Sequence, residues 1–181
     1  MSTAELEKLL DTAEYLFYER GYQAVGMDEI RAASGLSLKR IYSLVGSKEQ
    51  LAVCMLRRRD EKWHADLKAY VDKASEDQYL VAIFDWLYDW LSGAGHRGCA
   101  WINAAGEMGA ISPPILNEAQ CHKKRFLGFI REITKNSGLS EDVATTIFLL
   151  AEGCMTTVGI NGDTSVVRDA QRHVEQMVQR A

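Results

Sequence analysis

The sequence predicts an all-α fold, with three N-terminal helices joined by a long helix to a second helical domain. Three observations predict this class. Only two prolines occur in 181 residues, so little in the chain interrupts helices. No stretch alternates apolar and polar residues over the length of a half-buried strand. Apolar residues recur instead at three- and four-residue steps, between glycines and capping residues.

The first two helices follow from an apolar stripe and from glycine boundaries. Gly21 ends the first helix, and Gly26 precedes a second helix of about two turns that Gly35 closes. Asp28 and Glu29 lie in the first turn of that second helix, where the helix dipole favours acidic residues. The stripe of the first helix comprises Leu6, Leu9, Leu10, Ala13, Leu16 and Phe17.

Capping residues predict the next two helices. Ser37 can cap a short helix over residues 38–45, and Ser47 with Gln50 forms a capping box that opens a long helix over about residues 48–74. Two short helices around a turn with Gly35 are typical of a helix-turn-helix. We therefore expect domains at 1–47 and 48–181. Five further helices are predicted at 79–91, 99–110, 114–136, 141–158 and 164–180.

Charge is distributed unevenly along the chain. The net charge is -4, yet residues 31–62 contain eight basic and three acidic residues, a local +5. A basic segment in an acidic protein is expected of a module that contacts phosphate groups. An ordinary solvated surface is the alternative that this count leaves open.

Other classes of protein find little support. No apolar run approaches the roughly 20 residues that span a bilayer, and no signal peptide is evident, so we expect a cytoplasmic protein without a membrane partner. Gly93 to Gly98 spells a dinucleotide fingerprint, but it follows a predicted helix instead of a strand. We expect no catalytic residue, no metal site and no cofactor. The four cysteines lack metal-ligand spacing and are expected to be reduced thiols: Cys54, Cys99, Cys121 and Cys154.

The third helix has one polar and one apolar side. Lys39, Tyr42 and Ser43 share a face, while Ile41 and Val45 lie opposite. A helix of this diameter fits the major groove of B-DNA, with its N-terminal side chains nearest the bases. A short surface helix with an ordinary polar face remains the alternative.

Individual contacts follow from side-chain chemistry. Arg40 can pair with guanine, Tyr42 can donate to a phosphate, and Lys48 starts the next helix, where N–H groups favour phosphate. Leu38 can contact a thymine methyl group. The consecutive bases at 57–59 fan around their helix, so most are expected to be solvated and one to reach a phosphate.

Motifs in register over about 45 residues closely resemble the N-terminal domain of the tetracycline-repressor-like (TetR) family. They are Ala13-x-x-Leu16-Phe17-x-Glu19-Arg20-Gly21-Tyr22-x-Ala24, Asp28-Glu29-Ile30-x-Ala32-Ala33-x-Gly35-Leu36-Ser37, Ile41-Tyr42 and Ser47-Lys48-Glu49-x-Leu51. The resemblance implies a homodimeric, ligand-responsive transcriptional regulator, most simply a repressor that a small molecule releases from a palindromic operator.

The resemblance also implies which residues contact DNA. By position they are Gly26, Met27, Ser37, Leu38, Lys39, Arg40, Tyr42, Ser43 and Lys48. The chain departs from the family pattern at several of these positions. Gly26 stands where Ser or Thr is usual, Lys39-Arg40 replaces Gly-Thr or Gly-Ser, and Leu44-Val45 replaces His-Phe. These departures leave the expectation of DNA binding in place, but the operator sequence does not follow from the family pattern.

The second domain carries a candidate ligand site and a candidate dimer interface. Apolar side chains surround the helix at 79–91, so a bundle can enclose an apolar or aromatic ligand, although each aromatic residue can equally belong to the core. The helices at 114–136 and 141–158 carry more apolar surface than one neighbour covers, and the resemblance implies a homodimer interface there. The candidate ligand-binding residues are Trp63, Trp86, Trp90, Trp101, Asn103 and Glu107.

Two alternative functions stay open. One is a helical small-molecule carrier or enzyme that has kept the fold and lost DNA binding. The other is a DNA-binding structural protein without a ligand, which the aromatic second half disfavours.

Overall fold

The computed structural model describes residues 3–180, and this part of the chain is all-α, as predicted. A short 3-10 helix at Glu76–Gln78 precedes the fifth α-helix. The α-helices are α1 (Thr3–Arg20), α2 (Met27–Ser34), α3 (Leu38–Val45), α4 (Lys48–Val71), α5 (Tyr79–Leu91), α6 (Ala100–Met108), α7 (Pro113–Asn136), α8 (Glu141–Asn161) and α9 (Ser165–Arg180).

Local chemistry sets the bounds of the short helices. Gly35 ends α2 in the left-handed region, at a φ of 69°, where a side chain would be strained. The hydroxyl of Ser37 accepts a hydrogen bond from the Arg40 N–H at 3.2 Å, and α3 begins at Leu38, as predicted. The α8 helix runs three residues beyond the predicted end at 158, because its stop is Gly162, at a φ of 73°.

The chain divides into two compact units. The first comprises the chain through Glu61 together with Ala100–Cys121, and the second comprises Lys62–Cys99 and the chain from His122 onward. In the first, α2 packs on both α1 and α3; in the second, α5, α8 and α9 pack on one another. The functional division at residue 47 stays a prediction.

Each unit has its own apolar core. Fully buried side chains in the first unit include Leu9, Phe17, Ile30, Ile41, Leu51 and Met55. Those in the second include Leu67, Ile83, Phe84, Leu87, Phe126 and Ile147. Burial of this many apolar side chains is the main stabilising contribution in each unit.

One expectation about apolar runs needs correction. By length and composition alone, α8 is apolar enough to cross a membrane, with a mean hydropathy of 1.6 over an 18-residue window. Its buried residues pack against α5 and α9, so it is a helix of the bundle in this structure.

Candidate nucleic-acid interface and ligand region

The α3 helix presents its polar side to solvent. Ile41 is fully buried and Val45 is 8% exposed, whereas Lys39, Tyr42 and Ser43 are exposed. Tyr42 is 45% exposed, so its hydroxyl is open to a partner outside the chain. The structure therefore presents the predicted donor face outward.

Arg40 is held by an acidic residue of α1. Its guanidinium donates to the Glu5 carboxylate from Nη2 at 2.6 Å and from Nε at 3.1 Å. The Arg40 side chain is 35% exposed and the Glu5 side chain 38% exposed, so solvent weakens the pair. To reach a base, Arg40 has to leave Glu5.

The other positions implied by the resemblance surround α3. Gly26 is exposed and caps α2 without a side-chain hydrogen bond, while Met27 and Leu38 are half-buried. Lys48, the first residue of α4, lies with Nζ 5.9 Å from the centre of the Phe17 ring. Burial lowers the pKa of Lys48, an effect that the charge of Glu107 partly offsets.

The three consecutive arginines do not behave as the sequence analysis expected. Arg58 is only 11% exposed, and three carboxylates of α1 surround it at 2.8 to 3.0 Å: Glu7, Asp11 and Glu14. Burial by itself would lower the pKa of Arg58, but hydrogen bonds to Glu7 and Glu14 leave it raised. The expectation that most of the run is solvated is therefore wrong for Arg58.

Arg59 is likewise engaged by α1. Its guanidinium donates to Glu14 at 2.6 Å and lies 4.4 Å from the centre of the Tyr18 ring, and its side chain is 12% exposed. Arg57 is 63% exposed and pairs with Glu118 at 2.7 Å. Arg58 and Arg59 attach α1 to α4, and contact with DNA phosphates is not open to them in this arrangement.

Three of the predicted ligand-binding tryptophans lie together. The Trp63 ring is 4.9 Å from Trp86 and 6.1 Å from Trp90, edge to face, and the Trp86 and Trp90 rings stack at 5.8 Å. Phe126 and His122 contact the same Trp63 ring at 5.1 and 5.0 Å. This aromatic cluster is closely packed, as in a protein core.

The other three candidates belong to α6. Trp101 is 1% exposed and Asn103 is half-buried. The Glu107 carboxylate accepts the backbone N–H of Gln23 at 3.1 Å, and the Gln23 side chain donates to the Glu107 carbonyl at 2.6 Å. A Cβ atom at Gly21 would lie 2.9 Å from Glu107 Oε2, so a glycine permits this approach. Glu107 thus holds the turn between α1 and α2.

A cavity of about 1040 Å³ lies in the second unit, between α4 and α7. Its lining combines charge with aromatic and aliphatic surface, from Lys68, Asp72, Tyr79, Arg125, Phe129 and Glu132 among others. None of the six predicted ligand-binding residues is among the described residues that line it. The cavity is not predictable from the sequence, because its polar lining residues resemble the ordinary solvated faces of two helices.

The Gly35 cap of α2, the buried Ile41 side of α3 and its exposed donor side together form the arrangement of a helix-turn-helix. Residues 9–53 match the model of the family described as bacterial regulatory proteins, tetR family. The resemblance to the TetR family drawn from the sequence is therefore confirmed over these residues.

Solved structures share the fold over nearly the whole chain. A TetR-family transcriptional regulator from Streptomyces coelicolor is 24% identical, with a TM-score of 0.89, covering 98% of this chain and 96% of its own. Reduced NemR from E. coli is 19% identical, with a TM-score of 0.83 and coverages of 95% and 96%. A TetR regulator from Legionella pneumophila is 20% identical, with a TM-score of 0.82 and coverages of 98% and 97%. No curated protein matches the chain.

Proposed function

We propose that the protein is a cytoplasmic, ligand-responsive repressor that binds a palindromic operator as a homodimer and is released by a small molecule. The observation that carries this proposal is the α3 helix, whose Ile41 side is buried while Lys39 and Tyr42 face solvent. A surface helix needs no such donors for folding, whereas a recognition helix does.

The α3 helix enters the major groove in this proposal. Lys39 and Ser43 read base edges, and Tyr42 donates its hydroxyl to a phosphate. Ser37, Leu38 and Arg40 lie at or next to the N-terminal end that approaches the bases. The remaining contacts to the backbone come from Gly26, Met27 and Lys48.

The dimer is proposed to form through α7 and α8. Large apolar side chains are exposed on α8, where Leu149 is 62% and Ile160 is 82% exposed. Gly153 and Thr156 lie between them on the same side, and both are exposed, so another helix can approach closely. A second copy of the chain buries this stripe and, by two-fold symmetry, sets two recognition helices about 34 Å apart.

The ligand is proposed to bind in the second unit and to be apolar or aromatic. The cavity at Tyr79 and Phe129 has the size of a small-molecule site, which is roughly 300 to 1,000 Å³. The neighbouring aromatic cluster around Trp63 supplies further apolar surface once side chains rearrange. Binding favours a form in which α4 shifts and the two α3 helices no longer match the operator spacing.

A carrier or enzyme that has lost DNA binding is the second candidate. Its support is the buried aromatic cluster, but it gives no reason for the exposed donors of α3. A titration of salt against binding to the DNA upstream of the gene separates the two. A repressor binds one site about 10³-fold or more over unrelated DNA and weakens steeply with salt. A carrier shows no preferred site.

A further inference from the structure

Two buried histidines of the second unit lie side by side. His64 on α4 is 7% exposed and His122 on α7 is 1% exposed. Their ring centres are 5.3 Å apart, and a ring nitrogen of one lies within 4.8 Å of a ring nitrogen of the other. The two histidines are far apart in the sequence, and only the fold brings them together.

Asp60 adds a carboxylate on the same helix as His64. The two residues are one helical turn apart, so their side chains lie on the same side of α4. Asp60 is half-buried, and one of its carboxylate oxygens lies within 4.8 Å of a ring nitrogen of His64. Ligands one turn apart on a helix are a frequent arrangement in zinc proteins.

Trp63 restrains both imidazole rings. Its ring lies edge to face with His64 at 4.9 Å and with His122 at 5.0 Å between ring centres. The Nε2 atom of each imidazole is buried. Imidazoles that packing already orients lose little freedom when they bind an ion, so the pair is prepared for ligation.

The chemistry of these side chains suits zinc. Imidazole nitrogen and carboxylate oxygen bind Zn²⁺ at about 2.0 to 2.2 Å, and two histidines with one carboxylate leave the fourth position of a tetrahedron open. Ligand atoms at such distances from the ion lie about 3.4 Å from one another, so small side-chain rotations bring the three groups onto it. Mg²⁺ and Ca²⁺ prefer oxygen ligands, which two imidazoles do not supply.

The cavity of the second unit gives an ion access to the histidines. His64 is among its lining residues, so water in the cavity can occupy the fourth position. Lys68, one turn after His64, pairs with Asp72 at 2.6 Å, which largely compensates its charge. The excess of negative charge favours entry of a divalent cation. The charged lining residues that the structure describes are Asp72, Glu76, Asp77, Glu132, Lys68 and Arg125.

We propose that Asp60, His64 and His122 bind one Zn²⁺ ion, with water from the cavity as the fourth ligand. Through the two imidazoles, the ion links α4 to α7 inside the second unit. The site departs from the sequence-based expectation of no metal site. It goes beyond the proposed repressor function and requires neither DNA nor an organic ligand.

Calorimetric titration of the full chain with zinc chloride, after removal of metal with EDTA, tests this proposal. We expect one ion per chain, with a Kd below about 1 μM. Asp60→Asn keeps the size of the side chain but removes its charge, and should weaken binding by about tenfold or more. Asp66→Asn, at an exposed position of the same helix, is the matched control and should bind as the unaltered chain does. Absence of binding by the unaltered chain, or equal affinity of the two variants, would overturn the proposal.

Visible absorption of the chain loaded with Co²⁺ separates this site from binding at surface groups. Tetrahedral Co²⁺ with nitrogen and oxygen ligands absorbs strongly in the visible range and lacks a sulfur-to-metal charge-transfer band. We expect this spectrum from the unaltered chain. A charge-transfer band would assign the ion to a thiol such as the exposed Cys121, and a weak octahedral spectrum would assign it to exposed histidines such as His96 and His173. Either result would contradict the proposal, and both are read on the unaltered chain even if a variant misfolds.

Discussion

The backbone N–H of Gln23 donates to the carboxylate of Glu107, 84 residues further along the chain, at 3.1 Å. The Gln23 side chain returns the contact by donating to the Glu107 carbonyl at 2.6 Å. These two hydrogen bonds join the end of α6 to the turn before α2. Through them α6 is hydrogen-bonded directly to the turn between α1 and α2, which leads into the helix-turn-helix.

Replacing Glu107 tests how much its hydrogen bonds to Gln23 contribute to stability. Glu107→Ala leaves the Gln23 N–H without its acceptor and removes the charge that partly offsets the lowered pKa of Lys48. We expect a loss of about 1 kcal/mol in the free energy of unfolding, measured by urea denaturation. The exposed Glu61→Ala is the control and should change stability far less. Equal stability of both variants would refute a role for Glu107 in holding the turn.

The attachment of α1 to α4 gives a second prediction. Arg58→Ala removes the group that pairs with Glu7, Asp11 and Glu14 and leaves three carboxylates facing one another. We expect it to lower the free energy of unfolding by about 2 kcal/mol. Arg57→Ala, at a site that is 63% exposed, should cost below about 1 kcal/mol. Thermal unfolding that ranks the two variants the other way would contradict the structure.

Glu5 restrains Arg40, so its removal should affect DNA binding. Glu5→Gln weakens the pair at 2.6 Å and removes a negative charge beside α3. We expect operator binding to become tighter by up to about tenfold. The slope of log affinity against log salt concentration should become steeper by about one. Glu7→Gln, which alters a partner of Arg58 on the same helix, should leave affinity unchanged. Weaker binding by Glu5→Gln would show that Arg40 needs Glu5 for its placement.

Thiol reactivity supplies a prediction that depends on pH. Because burial raises the pKa of Cys154 to about 11 from an ordinary 9.0, its thiolate at neutral pH is about 100-fold scarcer. Labelling of Cys154 by a thiol reagent should therefore keep accelerating as pH rises past 9. Exposed Cys121 should be labelled faster than Cys154 at neutral pH. Rapid labelling of Cys154 at neutral pH in the folded protein would contradict its burial.

Local signals predicted the helix-turn-helix well. Ser37, Gly35 and the apolar positions of α3 act within a few residues of one another, so helix bounds and the outward face of Lys39 follow from spacing alone. The caps of α3 and α4 likewise depend only on Ser37 and Ser47. Local chemistry of this kind is readable from one sequence.

Long-range pairing was not readable in the same way. The run that contains Arg58 has the composition of a solvated patch, and only the fold brings the carboxylates of α1 to it. Glu107 has the character of a polar group in a ligand pocket, yet the structure sets it on the turn at Gln23. The cavity beside Phe129 also arises from packing between helices. Residue spacing along a single helix does not predict such packing.

Operator affinity of two α3 variants tests the central claim most directly. Lys39→Ala and Tyr42→Ala each remove one outward side chain from a helix whose buried side is untouched. We predict that each weakens binding to the upstream DNA by about tenfold or more, measured by fluorescence anisotropy at fixed salt. Lys62→Ala, an exposed lysine on α4, serves as the control. Unchanged affinity in both α3 variants would contradict the assignment of α3 as the recognition helix.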